Sequence, residues 1–320
     1  MGCDPGRTSD AHYPVTILPS PQQLRYLVTL AETRHFGRAA LTCAVTQSTL
    51  SAGLLALERQ LDAPILDRTA GRHVVFTPLG LELVERARTA LAALEAVSEA
   101  AAAAREPLTG PLRFGVIPTI GPFLLPRLMP ALRAAFPRLR IYLREDTTAR
   151  LVDRLAANRL DLMLLALPCD CGGADALSVA RDRFVVALPP DHPLAREEQI
   201  PVSALASERL LLLEDGHCLR DQALSVCGLL AGDRGDQDSF AATSLHTLVQ
   251  MVASGLGVTL LPRLAVAAGI AEGSGVVLRP LAAAGAWRTL GLAWRPNAPR
   301  GADYRALAGQ LTDVCTDLLA

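Results

Sequence analysis

The chain has 320 residues, 50% hydrophobic and 20% charged, long enough for two or three compact units and too apolar for a disordered protein. Its formal net charge of -1 excludes a global attraction to nucleic acid or membranes, so any basic surface must be local. All 31 basic side chains are arginine, which reads as codon bias rather than chemistry.

Residues 1–21, ending HYPVTILPSP, read as a flexible N-terminal extension. They lack the charged start and long apolar stretch of a signal peptide, and nowhere does an apolar run approach the ~20 residues of a membrane span. A cytoplasmic protein with no membrane contact is expected.

From Leu24 to about Leu61 the pattern is helical. Leu24, Leu27, Val28 and Ala31 share one face, His35-Phe36 opens a short helix FGRAALTCA, and Thr46 caps a third with Leu50, Leu54, Leu57 and Leu61. The turn Ala44-Val45, followed by Gln47, Ser48, Thr49 and Ser51, suggests a helix-turn-helix whose last helix enters the major groove. Three small helices are also compatible with plain structure. The next stretch, DRTAGRHVVFT, sets Arg68, Arg72 and His73 around Ala70-Gly71 before a β-rich run, as a basic wing does. Six arginines (25, 34, 38, 59, 68, 72) face four acids (32, 58, 62, 67) between Leu24 and Phe76, a weak net of +2. The expected DNA-binding domain is residues 22–80, with Arg38, Thr46, Gln47, Ser48, Thr49, Ser51, Arg68 and Arg72 as its candidate DNA contacts.

Thr77-Pro78 supplies a cap and a first-turn proline for a long helix, so a linker is expected over residues 78–106. Its apolar positions Leu83, Ala87, Ala90, Leu94, Val97 and Ala101 alternate spacings of four and three, a seam for pairing with a second copy. The run from Glu106 to Pro111 ends it. Over residues 111–320 the runs LRFGVIP, RIYLRE, LDLMLLALP and RFVVALP alternate with helical stretches, which predicts an open α/β sheet. Leu210–Leu213 starts a second such unit, and MVASGLGVTLLP reads as helix, glycine turn and strand.

Seven cysteines form no dense disulfide framework. Cys169 and Cys171, in PCDCGG, have no second cluster nearby and read as incidental loop residues that stay thiols. Cys218 follows Gly216-His217 at the expected entrance of a helix LRDQALSVC that ends in Cys227, with Arg220 close in sequence. A helix N-terminus favours the thiolate, the reactive form of cysteine. Without further context, two cysteines nine apart are more often small buried hydrophobes.

The order of these parts, with FGRAA, TQSTLS, LERQL, TPLG and SGLGVTLLP, resembles the LysR-type transcriptional regulators over nearly all of the chain from Gln22 to Leu319. EDGHCLRDQALSVC, GVIPTIGPFLLP, Thr148 and WRTLGLAWRP resemble the hydrogen-peroxide-sensing branch of that family. The recognition helix departs from the family pattern at Ala52-Gly53-Leu54-Leu55-Ala56, where Gly53 costs about 1 kcal/mol relative to alanine. The resemblance implies an all-α winged helix-turn-helix with a long linker helix. An α/β effector domain of two subdomains, like type 2 periplasmic binding proteins, is then implied to follow. It implies double-stranded DNA at pseudo-palindromic promoters, a homodimer or homotetramer, RNA polymerase and hydrogen peroxide as partners, with no cofactor and no metal. It also implies that Cys218 is oxidised by peroxide and resolved by Cys227 in a reversible disulfide. Thr119, Thr148, His217 and Arg288 would bind peroxide, and Asp221 would support them.

Two other functions compete at this level. One keeps the LysR architecture but takes a small metabolite as effector, with idle cysteines. The other is an enzyme, a thiol peroxidase or disulfide reductase, which would leave the N-terminal third unexplained; the chain is expected not to be one.

Overall fold

The computed structural model describes residues 18–67, 74–103, 107–228 and 241–319. The chain divides into two compact units, the first ending at Glu95 and the second beginning at Ala96.

The first unit opens with α1 (Pro21–Thr33), which starts three residues earlier than apolar periodicity suggests. The cause is a capping box. Ser20 Oγ accepts from the Gln23 amide at 3.2 Å, and Gln23 Oε1 accepts from the Ser20 amide at 2.8 Å. Next come α2 (Phe36–Thr42), capped by His35, and α3 (Gln47–Leu61), capped by Thr46, with 99° between them. Leu27, Leu30, Leu50 and Leu57 are almost fully buried between these helices. Gly53 has a packing reason: a Cβ there would lie 2.8 Å from the Tyr26 ring, so its lost helix propensity admits the aromatic side chain. An antiparallel bridge between Leu66 and Phe76 closes the base of the expected wing. Then α4 (Pro78–Ala103) turns Val84 and Ala87 onto the same core and leaves Leu94 and Val97 exposed. The predicted seam is thus split between the unit's own core and solvent.

The second unit begins β1 (Gly110–Val116), α5 (Gly121–Ala135), β2 (Leu139–Glu145), α6 (Thr148–Ala156), β3 (Leu162–Leu167) and β4 (Asp175–Leu188). It continues β5 (Ile200–Pro201), α7 (Val202–Leu205), α8 (Cys218–Val226), α9 (Leu245–Ala253), β6 (Thr259–Pro262) and α10 (Arg263–Ala267). The last elements are β7 (Val277–Ala282), β8 (Trp287–Trp294) and α11 (Gly301–Leu319). The strands run in the order β2-β1-β3-β8-β4-β7-β5, with β6 also on β4. β1 is parallel to β2 and β3, while β8 is antiparallel to β3 and β4.

β4 is twice as long as RFVVALP suggests. Its first half is exposed or half-buried, so it carries Asp175, Ser178 and Arg181 rather than an apolar run. That half pairs with β8 and the second half with β6 and β7, which makes β4 common to both parts of the sheet. Among the described residues no single helix is long and apolar enough to cross a membrane.

Candidate functional site

Thr119 lies in the turn between β1 and α5, and Thr148 opens α6 after β2. Because β1 and β2 are parallel neighbours, with Val116 opposite Glu145, both threonines emerge at adjacent C-terminal strand ends. In an open α/β sheet that edge is where ligands bind. Arg288, near the start of β8, reaches the same region and is 2% exposed. Its Nη1 donates to Thr119 Oγ1 at 2.8 Å, its Nη2 to the Thr119 carbonyl at 2.9 Å, and its Nε to Asp182 Oδ2 at 2.9 Å. A guanidinium removed from water needs such a complete set of acceptors.

Cys218 is the first residue of α8, half-buried, and its Sγ lies 2.7 Å from Thr148 Oγ1. Gly216, at φ +91°, makes the turn that aims the chain into the helix, a conformation glycine adopts without a Cβ clash. His217 takes the N-cap position, half-buried, with no side-chain cap hydrogen bond. Asp221 is exposed and has no hydrogen-bond or ion-pair partner among the described residues. Arg220 is engaged elsewhere: its Nε meets Asp215 Oδ1 at 3.0 Å and its Nη1 donates to the Leu213 carbonyl at 3.1 Å. Cys227 caps the far end of α8, half-buried against the core, and neither it nor Cys218 is in a disulfide. Across a continuous helix, nine steps separate their Cα atoms by about 13.5 Å.

Cys169 and Cys171 correct the sequence reading. They follow β3 and are joined as a disulfide with Cα atoms 5.3 Å apart. Gly172 and Gly173, both at positive φ, turn the chain directly after the bond. Cys43 is a free thiol against the helix-turn-helix core, and Cys315 is a buried free thiol. Burial, reinforced by the Asp182 charge, pushes the Cys315 thiol up to about 12.

Two carboxylates escaped the sequence reading. Asp182, fully buried, accepts from Arg288 and, through Oδ1, from the Leu264 amide at 2.9 Å. The available signal was strand period: it lies between Arg181 and Arg183 and so faces the other side of β4. Asp146 sits just before Thr147-Thr148. Burial pushes its carboxyl up, but the Arg144 hydrogen bond, the Thr147 amide and the charges of Arg150 and Arg144 outweigh this and hold it below the usual range.

In the first unit, Thr46 Oγ1 accepts from the Thr49 amide at 3.2 Å and contacts the hydroxyls of Ser48 and Thr49 at 2.9 and 2.8 Å. Gln47, Ser48, Thr49 and Ser51 are exposed along the leading turn of α3, and Arg38 is exposed on α2. Arg68 and Arg72 lie outside the described residues. Among the described residues no group of three or more His, Cys, Asp or Glu could hold a metal ion.

Comparison with known proteins gives these features a family. Residues 21–81 match the model of the bacterial regulatory helix-turn-helix protein, lysR family, and residues 105–316 match the LysR substrate binding domain. The chain is 44% identical over 287 residues to the DNA-binding transcriptional dual regulator OxyR of Escherichia coli, covering 90% of this chain and 93% of that one. It is 42% identical over 300 residues to a probable hydrogen peroxide-inducible genes activator of Streptomyces viridosporus, covering 94% and 96%. Among solved structures, a full-length OxyR variant from Pseudomonas aeruginosa superposes with a TM-score of 0.75 at 36% identity, over 92% of this chain and 98% of that one. A hydrogen-peroxide-bound cysteine mutant of OxyR from Corynebacterium glutamicum gives 0.65 at 33% identity, over 94% of each. With both of its parts matched, the chain belongs to the LysR family of bacterial transcriptional regulators.

Proposed function

We propose that this regulator is a cytoplasmic peroxide sensor whose switch is the pair Cys218 and Cys227. The observation that carries the reading is a thiol at the first turn of α8, 2.7 Å from Thr148 Oγ1, with a second thiol at the other end of the same helix. The thiolate is the form of a cysteine that attacks peroxide. The Cys218 thiolate attacks one peroxide oxygen and the O–O bond breaks, releasing hydroxide and leaving a sulfenic acid. The Cys227 thiol then attacks that sulfur; water leaves and the disulfide forms. Thr119, Thr148, His217 and Arg288 position the peroxide. Asp221, exposed in the first turn of α8 and without a partner among the described residues, supports the site at the positive end of the helix dipole.

A disulfide requires Cα atoms about 4.4–6.8 Å apart, so the bond cannot close while α8 is intact. Oxidation therefore selects a second arrangement of the segment, which the assembly reads. One relative is a probable activator of hydrogen peroxide-inducible genes and a solved relative is bound to hydrogen peroxide, which supports this effector over a metabolite.

DNA is contacted by residues 22–80, with Arg38, Thr46, Gln47, Ser48, Thr49 and Ser51 at the groove and Arg68 and Arg72 on the phosphates. Residues 78–106 pair two copies, residues 111–320 sense, and a homotetramer on pseudo-palindromic sites meets RNA polymerase. The protein turns over no substrate and needs no cofactor. Peptide mapping by mass spectrometry after a brief, low peroxide dose tests the switch. Cys218→Ser should abolish the response and Cys227→Ser should accumulate sulfenic acid; an unmodified Cys218 beside another oxidised cysteine rejects the reading. Gel shifts of the full chain on its own upstream DNA, reduced and oxidised, test the output, with affinity falling steeply as salt rises.

A further inference from the structure

The second unit holds a cavity of about 700 Å³ beside β4, lined on that strand by Arg181, Arg183, Phe184 and Val185. Four arginines line it, Arg181, Arg183, Arg263 and Arg279, and none of its lining residues is acidic. In a chain with a net charge of -1 this is a concentrated positive field. The arginines are not equivalent. Arg279 donates to the carbonyls of Glu197, Leu278 and Ala195 at 2.7, 3.0 and 2.7 Å, which fixes its charge at the wall without neutralising it. Arg181 lies over the Trp287 ring, 4.8 Å from its centroid. Arg183 and Arg263 are exposed and have no hydrogen-bond or ion-pair partner among the described residues, so two forked donor sets remain available.

The rest of the wall is apolar: Phe184, Val266, Leu278, Leu281, Ala286 and Leu319. The volume lies within the range of small-molecule sites, which are mostly apolar with a few polar groups that orient the ligand. Guanidinium forks match carboxylates in two-point geometry, and the half-buried Trp287 offers a flat surface for a ring.

We propose that this cavity binds a small organic acid, a carboxylate on an aromatic or similarly flat apolar body. The carboxylate lies between Arg183 and Arg263, and the body lies against Trp287. The site is separate from Cys218 and does not depend on how the cysteines react. Because Asp182 and its neighbours Arg181 and Arg183 alternate across β4, the ligand and the Arg288–Asp182 pair share one strand.

Titration calorimetry of the full-length protein with sodium benzoate, alongside tryptophan fluorescence, tests this. Benzyl alcohol serves as the neutral counterpart and inorganic phosphate as the anion without an apolar body. Saturable benzoate binding at one site per chain is expected, with quenching that Trp287→Phe removes. Arg183→Gln and Arg263→Gln, both at exposed positions, should each weaken binding at least tenfold. Benzyl alcohol and phosphate should bind at least tenfold more weakly than benzoate. Absence of saturable benzoate binding at millimolar concentration overturns the proposal. So does unchanged affinity in both variants, or equal binding of benzyl alcohol or phosphate. Peroxide oxidation of Cys218, measured separately by mass spectrometry, decides the sensing function whichever way this result falls.

Discussion

Arg288 Nε and Asp182 Oδ2 meet at 2.9 Å with neither side chain exposed to solvent. Removing one partner leaves the other as an uncompensated buried charge, which typically destabilises by about 3–5 kcal/mol. Arg288→Ala should therefore unfold at markedly lower urea than the parent, followed by tryptophan fluorescence. Arg288→Lys should fall between them, because a lysine keeps the charge but lacks the fork that also reaches Thr119. An Arg288→Ala midpoint equal to the parent's would show that the pair adds nothing to the fold.

Helix α8 and a Cys218–Cys227 disulfide exclude each other by length, about 13.5 Å of helix against a bond that needs less than about 7 Å. Amide exchange across Leu219–Val226 should accelerate at least tenfold on oxidation, and it should not change in Cys227→Ser treated identically. In the same experiment Cys315 should resist peroxide and iodoacetamide in the native state, since its thiol is pushed up to about 12 and is buried. Retained protection in a chain shown to carry the disulfide would refute the proposed rearrangement.

Asp146 has its carboxyl held below the usual range, and it adjoins the start of α6 that presents Thr148. A depressed carboxylate contributes stability that is present above its unfolded value, about 3.9, and is lost as pH falls through the lower folded value. Stability measured by urea should decline over that acid window. Asp146→Asn should cost about 1 kcal/mol at pH 7 and flatten the acid decline. An acid limb of equal slope in the two proteins would remove Asp146 from the account.

The Cys169–Cys171 disulfide encloses one intervening residue. Closing so small a loop restricts the unfolded chain little, so the bond contributes no more than about 1.5 kcal/mol by chain entropy. Substituting both cysteines by serine should lower the melting temperature by only a few degrees. Free-thiol titration of the unreduced protein should gain two thiols when a mild dithiol reductant is added. A collapse of the fold in the double variant would mean that the bond does far more than its loop size implies.

Gly53 sits inside α3 where a Cβ would approach the Tyr26 ring to 2.8 Å. Alanine improves helix propensity by about 1 kcal/mol, but overpacking a tight core costs about 1–3 kcal/mol. Gly53→Ala should thus be neutral to destabilising in the natural background and stabilising when Tyr26 is Leu. Thermal melts of the four proteins form the cycle, and additive effects would show that the ring is not the reason for the glycine.

The local elements were legible in the sequence because their causes are local. Thr46 precedes α3 and caps it, Thr77-Pro78 opens α4, and apolar spacing marks the buried sides of α1 and α3. The motif around Cys218 and its family resemblance were equally legible, since ten consecutive positions carry both thiols and the helix between them. Tertiary structure alone decided what depends on residues distant in the chain. Thr148 meets Cys218 across 70 positions, and Thr119 meets Arg288 across 169, because parallel strand ends gather separate turns at one edge. The first half of β4 was hidden, since an exposed or half-buried strand shows no apolar run, and with it the roles of Asp182 and of the arginines on either side of it. The bond between Cys169 and Cys171 was likewise invisible, because spacing states how far apart two side chains are along the chain and not how the backbone orients them.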